Sequence, residues 1–199
     1  SGTEGNGQTA IGPEDWLAHP GSVGRPVIGD VHIVGDDGRE LPPGETGRVF
    51  FSGGPRFEYY KDPGKTAEAY DERGWSTLGD VGHKDADGFL YLTDRASHMI
   101  ISGGVNIYPR EVEDVLIGHP AVRDAAVFGI PDAEFGEQVK AAVEVSEPVA
   151  AEALIDWCRA RLAHLKCPRS VDFHEALPRH QTGKLYKEEL KRPYWRDAR

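Results

Sequence analysis

The chain has little of what builds disulfide-rich, metal-bound or membrane-spanning proteins. Its only cysteines, Cys158 and Cys167, are not spaced as a C-x-x-C pair, so two free thiols in a reducing compartment are expected. The eight histidines form no H-x-x-x-H or Cys/His cluster, which argues against a structural metal. No apolar run approaches the roughly 18 residues of a membrane span, and no signal peptide is visible. A cytoplasmic protein without a membrane span is the expectation. Positive charge is also scarce: 23 Lys and Arg against 33 Asp and Glu leave a net charge of −10. That balance excludes a broad nucleic-acid or anionic-membrane face. Repeats and low-complexity segments are absent. The 39% hydrophobic and 28% charged content is ordinary for a globular protein, and the length suggests one or two domains with ample core. Charge is uneven, with six Lys/Arg against three Asp/Glu over residues 180–199. That tail suits a polyphosphate ligand or a solvated helix end equally well.

The stretch over residues 74–113 organises the rest. Trp75 to Asp80 is an apolar-flanked run that returns to a sheet and ends on a carboxylate. Asp85-Ala86-Asp87-Gly88 has the chemistry of a tight turn, and Phe89 to Leu92 reads as a strand leading to Asp94-Arg95. Met99 to Ile101 and Ser102 to Asn106 read as two strand arms meeting at Gly103-Gly104. Pro109 opens a helix to Ile117 at the position where a missing N–H costs nothing, and Glu111 and Glu113 suit the positive end of its dipole. Upstream, Ile11 to Gly24 reads as a helical turn and an ordered loop. Val27 to Val34 and Gly47 to Ser52 read as strands around turns at Asp36-Asp37-Gly38 and Pro42-Pro43-Gly44-Glu45. Tyr59 to Ala69 holds a short helix with Asp62 as N-cap. Downstream, Val122 to Gly129 and Gln138 to Val145 read as strands. Pro148 to Leu165 reads as an amphipathic helix with Leu154, Trp157, Cys158 and Leu162 on one stripe. Val171 to His174 is a brief strand and Leu185 to Leu190 a final helix. The pattern predicts an α+β chain: a distorted β-barrel or antiparallel sheet first, then a compact α/β unit.

Four strings in order across the chain carry a resemblance. They are Ser1-Gly2-Thr3-Glu4-Gly5, the pair Asp80 and Arg95, the run from Gly103-Gly104 through Val105-Asn106-Ile107-Tyr108-Pro109 to Glu113, and Leu177-Pro178-Arg179-His180-Gln181-Thr182-Gly183-Lys184. Together they resemble the core motifs of the adenylate-forming superfamily, the acyl-CoA ligases and their adenylation-domain relatives. The resemblance implies that residues 1–95 are the end of a large AMP-binding domain and residues 96–199 its mobile C-terminal domain. It implies Thr3 at the nucleotide phosphate, Glu4 at Mg²⁺, Asp80 and Arg95 at the ribose, and Lys184 as the catalytic lysine. Ser102, Gly103 and Gly104 would line a pantetheine tunnel, and Ser97 would be the hinge. Departures exist: Ser1 stands at a usual glycine, Ser97 where Asp or Lys is usual, and His98 where Asp is common. Ile101 replaces the lysine of beetle-luciferase-like members, which disfavours an oxidative role. The family's phosphate loop and acyl pocket would lie upstream, so the chain is expected to be the C-terminal part of a longer enzyme and inactive alone.

The residues fit that chemistry. Bringing a carboxylate to an α-phosphate builds negative charge, so catalysis is mostly positioning and neutralisation. Lys184 is a compact charge beside a flexible glycine. Gly183-Lys184 is no Walker A ending, because Leu185 replaces Ser/Thr and the upstream glycine is missing. A carboxylate such as Asp80 accepts from both ribose hydroxyls, and Arg95 offers a planar fork of donors. Gly103 and Gly104 let backbone approach a thin ligand arm. The implied activity is an ATP-dependent acid–thiol ligase making acyl-AMP, then acyl-CoA, from a carboxylic acid of fatty-acid type, with ATP, Mg²⁺ and CoA. The alternatives are loading of an acyl carrier protein, or a non-catalytic nucleotide-binding piece.

Overall fold

Side-chain alternation over residues 27–34 predicts one strand, but Gly29 divides it. The structure, a computed structural model, describes residues 1–196; residues 197–199 of the basic tail lie outside the described residues. Gly29 sits at φ +73°, where a Cβ would lie 2.4 Å from the Ser52 carbonyl oxygen. Only glycine tolerates both conditions. The chain changes partners at this kink: β1 (Gln8–Ala10) pairs antiparallel with β2 (Arg25–Ile28), and β3 (Asp30–Val34) with β4 (Gly47–Ser52). A short helix α1 (Pro13–Ala18) precedes β2. Helix α2 (Pro63–Glu68) follows β4, with Asp62 accepting a 2.9 Å hydrogen bond from the Lys65 N–H as the expected N-cap. The short helix lies within residues 59–69, as the sequence reading has it.

β5 (Asp80–Lys84) and β6 (Leu90–Arg95) complete an antiparallel sheet of order β3-β4-β5-β6. Its buried side holds Val31, Ile33, Val49 and Leu90. The sheet is open among the described residues, so the antiparallel sheet, not a closed barrel, is the form realised. Trp75 to Asp80 enters it later than expected. Ser76 makes only isolated bridges to Phe51 and Tyr70, and the Thr77 hydroxyl donates to the Val49 carbonyl instead of extending a ladder.

The chain divides into two compact units between Ser97 and His98. In the second, β7 (Ile100–Ser102) and β8 (Val105–Ile107) form a hairpin, and α3 occupies Pro109–Ile117, the span read from the sequence. The long strands β9 (Val122–Asp132) and β10 (Gly136–Val145) make an antiparallel ribbon in which Gly136 faces Asp132 and Glu144 faces Asp124. β7 and the parallel strand β11 (Ser170–Phe173) also pair with β10. Both ribbon faces are buried. Val127, Val139, Ala141 and Val143 pack with Val112 and Leu116 of α3 and with Leu154 and Cys158 of α4 (Ala151–Arg159). Ala126, Phe128 and Ala142 pack with Leu177 and with Leu190 of α5 (Lys187–Arg196). Burial on both faces explains why these strands read as near-continuous apolar runs. It also pushes the Cys158 thiol up to about 11, which makes it an inert core group.

Two helix readings need correction. The helix expected to reach Leu165 ends at Arg159, because Leu162 and Cys167 must turn back onto the core. Of its expected stripe, Leu154 and Cys158 are fully buried, whereas the Trp157 indole N–H reaches the Val115 carbonyl at 2.8 Å. The last helix starts two residues later than expected and runs on through Pro193. A mid-helix proline is unfavourable, but the next turn is held by tertiary bonds. Tyr194 donates to Asp172, and the Trp195 indole N–H donates to the Gly129 carbonyl at 3.1 Å. Among the described residues no helix is long and apolar enough to cross a membrane.

Candidate active site

In the first unit, antiparallel pairing places Asp80 of β5 opposite Arg95 of β6. Arg95 Nε lies 3.2 Å from Asp80 Oδ1, an ion pair between neighbouring strands. Both line a cavity of about 170 Å³ together with Ser1, Gly2, Asn6 and Leu78. Thr3 Oγ1 donates to Glu4 Oε2 at 3.0 Å, and the Tyr59 hydroxyl donates to Glu4 Oε1 at 3.1 Å. A hydrogen bond from its own backbone N–H, with those from Thr3 and Tyr59, holds Glu4 below the ordinary carboxylate range. Burial, then the bond to Glu4, raises the Tyr59 phenol. An ionised carboxylate flanked by a hydroxyl is a hard oxygen donor set, which fits Mg²⁺.

Sequence reasoning missed two features here. Asn6 is buried; its Nδ2 donates to Ser76 Oγ at 3.1 Å, while its Oδ1 has no partner. His19, Asp85 and Asp87 bring possible metal-ligand atoms within 4.8 Å of one another, a grouping hidden by sequence separation. Its chemistry is that of a hairpin brace. Burial would raise Asp85, but hydrogen bonds from the Phe89 N–H, Tyr91, His19 and the Asp87 N–H outweigh it and hold the carboxyl low. His19 also stacks on Phe89 at 3.8 Å between centroids.

The second unit carries the remaining candidates on two hairpins. Ser102 is buried and faces Gly136 at the start of β10, and the Gly103 N–H donates to the Phe135 carbonyl at 2.9 Å. Gly103 and Gly104 have φ of +57° and +79°. A Cβ on Gly103 would meet the Phe135 ring at 3.0 Å, whereas one on Gly104 would meet open space. Lys184 lies on the other hairpin. There the His180 N–H donates to the Lys184 carbonyl at 2.8 Å and Arg179 bridges Leu185. The Lys184 side chain is exposed. Arg179 ties this hairpin to Asp124, near the opposite end of the ribbon from Gly136. Eight residue steps of β10, from Gly136 to Glu144, set the two attachment points roughly 26 Å apart. The structure thus brings Asp80 and Arg95 together and Thr3 and Glu4 together, while Lys184 and the glycine pair occupy separate ends of one sheet. Ser97 lies at the boundary between the units.

A small sheet buried by helices on both faces, with an exposed lysine on a hairpin before its last helix, defines a compact α/β domain. Residues 111–184 match the family described as AMP-binding enzyme C-terminal domain. The chain belongs to the adenylate-forming superfamily. It is 42% identical to the long-chain-fatty-acid–CoA ligase FadD13 of Mycobacterium tuberculosis, over 94% of this chain and 38% of that protein. It is also 42% identical to a feruloyl-CoA synthase of Amycolatopsis, over 87% of this chain and 36% of that one. Among solved structures it resembles the o-succinylbenzoate CoA synthetase of Bacillus subtilis in complex with its acyl-adenylate. That match has a TM-score of 0.81 and 38% identity, and covers 91% of this chain and 37% of that one. ATP-bound MatB from Rhodopseudomonas palustris matches with TM-score 0.81 and 32% identity, over 88% of this chain and 36% of that one. The chain therefore spans less than two-fifths of the length of these relatives.

Proposed function

We propose that this chain is the C-terminal part of an ATP-dependent acid–thiol ligase that converts a carboxylic acid to acyl-AMP and then to acyl-CoA. The names of the relatives support CoA as acceptor and a fatty or aryl acid as substrate. The observation that carries the two-step reading is the placement of two functional hairpins at opposite ends of one rigid ribbon. A single orientation of such a unit presents one end to a reaction centre, so two half-reactions call for two orientations. Ser97 is the proposed hinge between residues 1–95 and 96–199.

In the adenylation step, Asp80 accepts the ribose hydroxyls and Arg95 holds the same sugar, which fixes the α-phosphate for attack. Thr3 binds a phosphate oxygen. Glu4 would hold Mg²⁺, which when bound neutralises the polyphosphate charge. Lys184 stabilises the charge that builds on phosphorus and on the departing pyrophosphate. In the transfer step, Ser102, Gly103 and Gly104 flank the pantetheine arm. Gly104, with open space at its Cβ position, allows close backbone approach.

The test is to supply the full-length enzyme with ATP and a panel of fatty and aryl acids, measuring pyrophosphate release, and then to add CoA. Acid-dependent pyrophosphate release followed by acyl-CoA and AMP is expected. Acyl-AMP that is consumed by an acyl carrier protein and not by CoA would replace the acceptor. No acid-dependent release with any acid would overturn the reading.

A further inference from the structure

We infer that Arg179 is a positioning residue for Lys184, acting through the Gly183 carbonyl and Asp124; this rests on the catalytic reading of Lys184. The hairpin that carries Lys184 is closed by three backbone bonds: His180 N–H to the Lys184 carbonyl and Gly183 N–H to the His180 carbonyl at 2.8 Å, and Tyr186 N–H to the Pro178 carbonyl at 2.7 Å. Residues 180–184 are all exposed, so no apolar burial fixes the tip against the sheet. One guanidinium does so instead. Arg179 Nη1 donates to the Gly183 carbonyl at 2.6 Å, while Nη2 pairs with Asp124 Oδ2 on β9. Asp124 is itself oriented, because its Oδ1 accepts the Ala125 N–H at 2.9 Å.

The geometry matters because the Gly183 carbonyl belongs to the peptide plane that reaches the Lys184 Cα. Peptide planarity means that fixing this oxygen fixes the plane from which Lys184 projects. A planar fork holds two acceptors in a set relation, which the single ammonium of lysine does not reproduce. Exposed ion pairs contribute little to stability, so the pair's value lies in aiming the loop.

The experiment uses the full-length enzyme and follows single-turnover pyrophosphate release for Arg179→Met, Arg179→Lys and Asp124→Asn. Arg179→Met is also built into a Lys184→Ala background. Arg179→Met is expected to slow acyl-AMP formation by about ten- to a hundredfold, the size of effect a small misplacement produces. The KM for ATP and the thermal midpoint should change little. Arg179→Lys and Asp124→Asn should show smaller losses in the same direction, and these milder variants guard against a fold defect in the first. Combined with Lys184→Ala, Arg179→Met should add nothing, since residues that act as a unit are non-additive. An equal loss in both backgrounds would overturn the inference, as Arg179 would then act independently of Lys184. If Lys184→Ala alone leaves pyrophosphate release at the wild-type rate, the catalytic reading of Lys184 has failed, and the inference falls with it.

Discussion

The Gly103–Gly104 hairpin and the His180–Gly183 hairpin both turn on glycines at positive φ, but the sheet holds them differently. The first is stitched in by backbone: β7 pairs with β10, Ser102 is buried, and Phe135 accepts from Gly103. The second is rooted in the core at Leu177, but its tip stands out in solvent and is tethered to β9 by the Arg179 side chain. A backbone-anchored hairpin is a rigid wall, suited to lining a channel. A side-chain-anchored one presents a charge at its tip, suited to a site that must be approached and left.

The strongest way to break this contrast is at Lys184. Lys184→Ala removes a preorganised charge contact worth about 3–4 kcal/mol, so acyl-AMP formation by the full-length enzyme should fall by roughly a hundred- to a thousandfold. Transfer from supplied acyl-AMP to CoA should survive. Gly104→Leu should give the mirror image. Its left-handed backbone strains any L-residue by about 1–2 kcal/mol, and the side chain would occupy the open space at the tip. Transfer to CoA should drop by about tenfold or more, the factor that 1.4 kcal/mol represents, with pyrophosphate release retained. Equal loss of both steps in both variants would mean that the two hairpins serve one orientation.

A smaller effect separates the two hairpins by stability. Glu113 is buried on α3, where Oε1 accepts the Val127 N–H at 2.7 Å and meets Lys187 Nζ at 2.6 Å. Lys187 opens α5, three residues after Lys184. Glu113→Gln weakens both bonds, and a cost of about 1–3 kcal/mol is expected. Hydrogen exchange should speed up in α5 and the Lys184 hairpin, leaving residues 100–107 protected; uniform acceleration would show one cooperative unit.

The mildest test is acid. Burial would raise the Asp172 carboxyl, but hydrogen bonds from Lys140 and Tyr194 outweigh it and hold it below its ordinary value. A depressed acid contributes stability above its unfolded pKa and loses it as pH falls through the folded one. The attachment of α5 should therefore weaken below about pH 4, the unfolded value for Asp. Fluorescence of Trp195 would follow the change, and Asp172→Asn should flatten it.

Local rules made much of the fold legible. Pro109 at the first turn and the apolar spacing of Val112 and Leu116 determined α3 to the residue. Asp62 capped α2 as its chemistry requires, and the near-continuous apolar runs gave β9 and β10 except for their facing ends, residues 130–132 and 136–137. The order of short motifs gave the superfamily, and the candidate residues came with it. What the sequence left open were decisions between distant residues. Gly29 breaks a strand because the Ser52 carbonyl crowds it, which no local pattern reveals. Glu113, read as a helix-dipole acid, is an internal tie between α3, β9 and α5. The α4 helix stops early because Leu162 and Cys167 have a core to reach. Arg179 meets Asp124 only after the ribbon has formed. The starts of α2 and α3, the turns and the apolar periods are set by neighbours along the chain, so sequence alone determined them. The distance between the two hairpins and the anchor each received are set by strand register, which only tertiary packing decides.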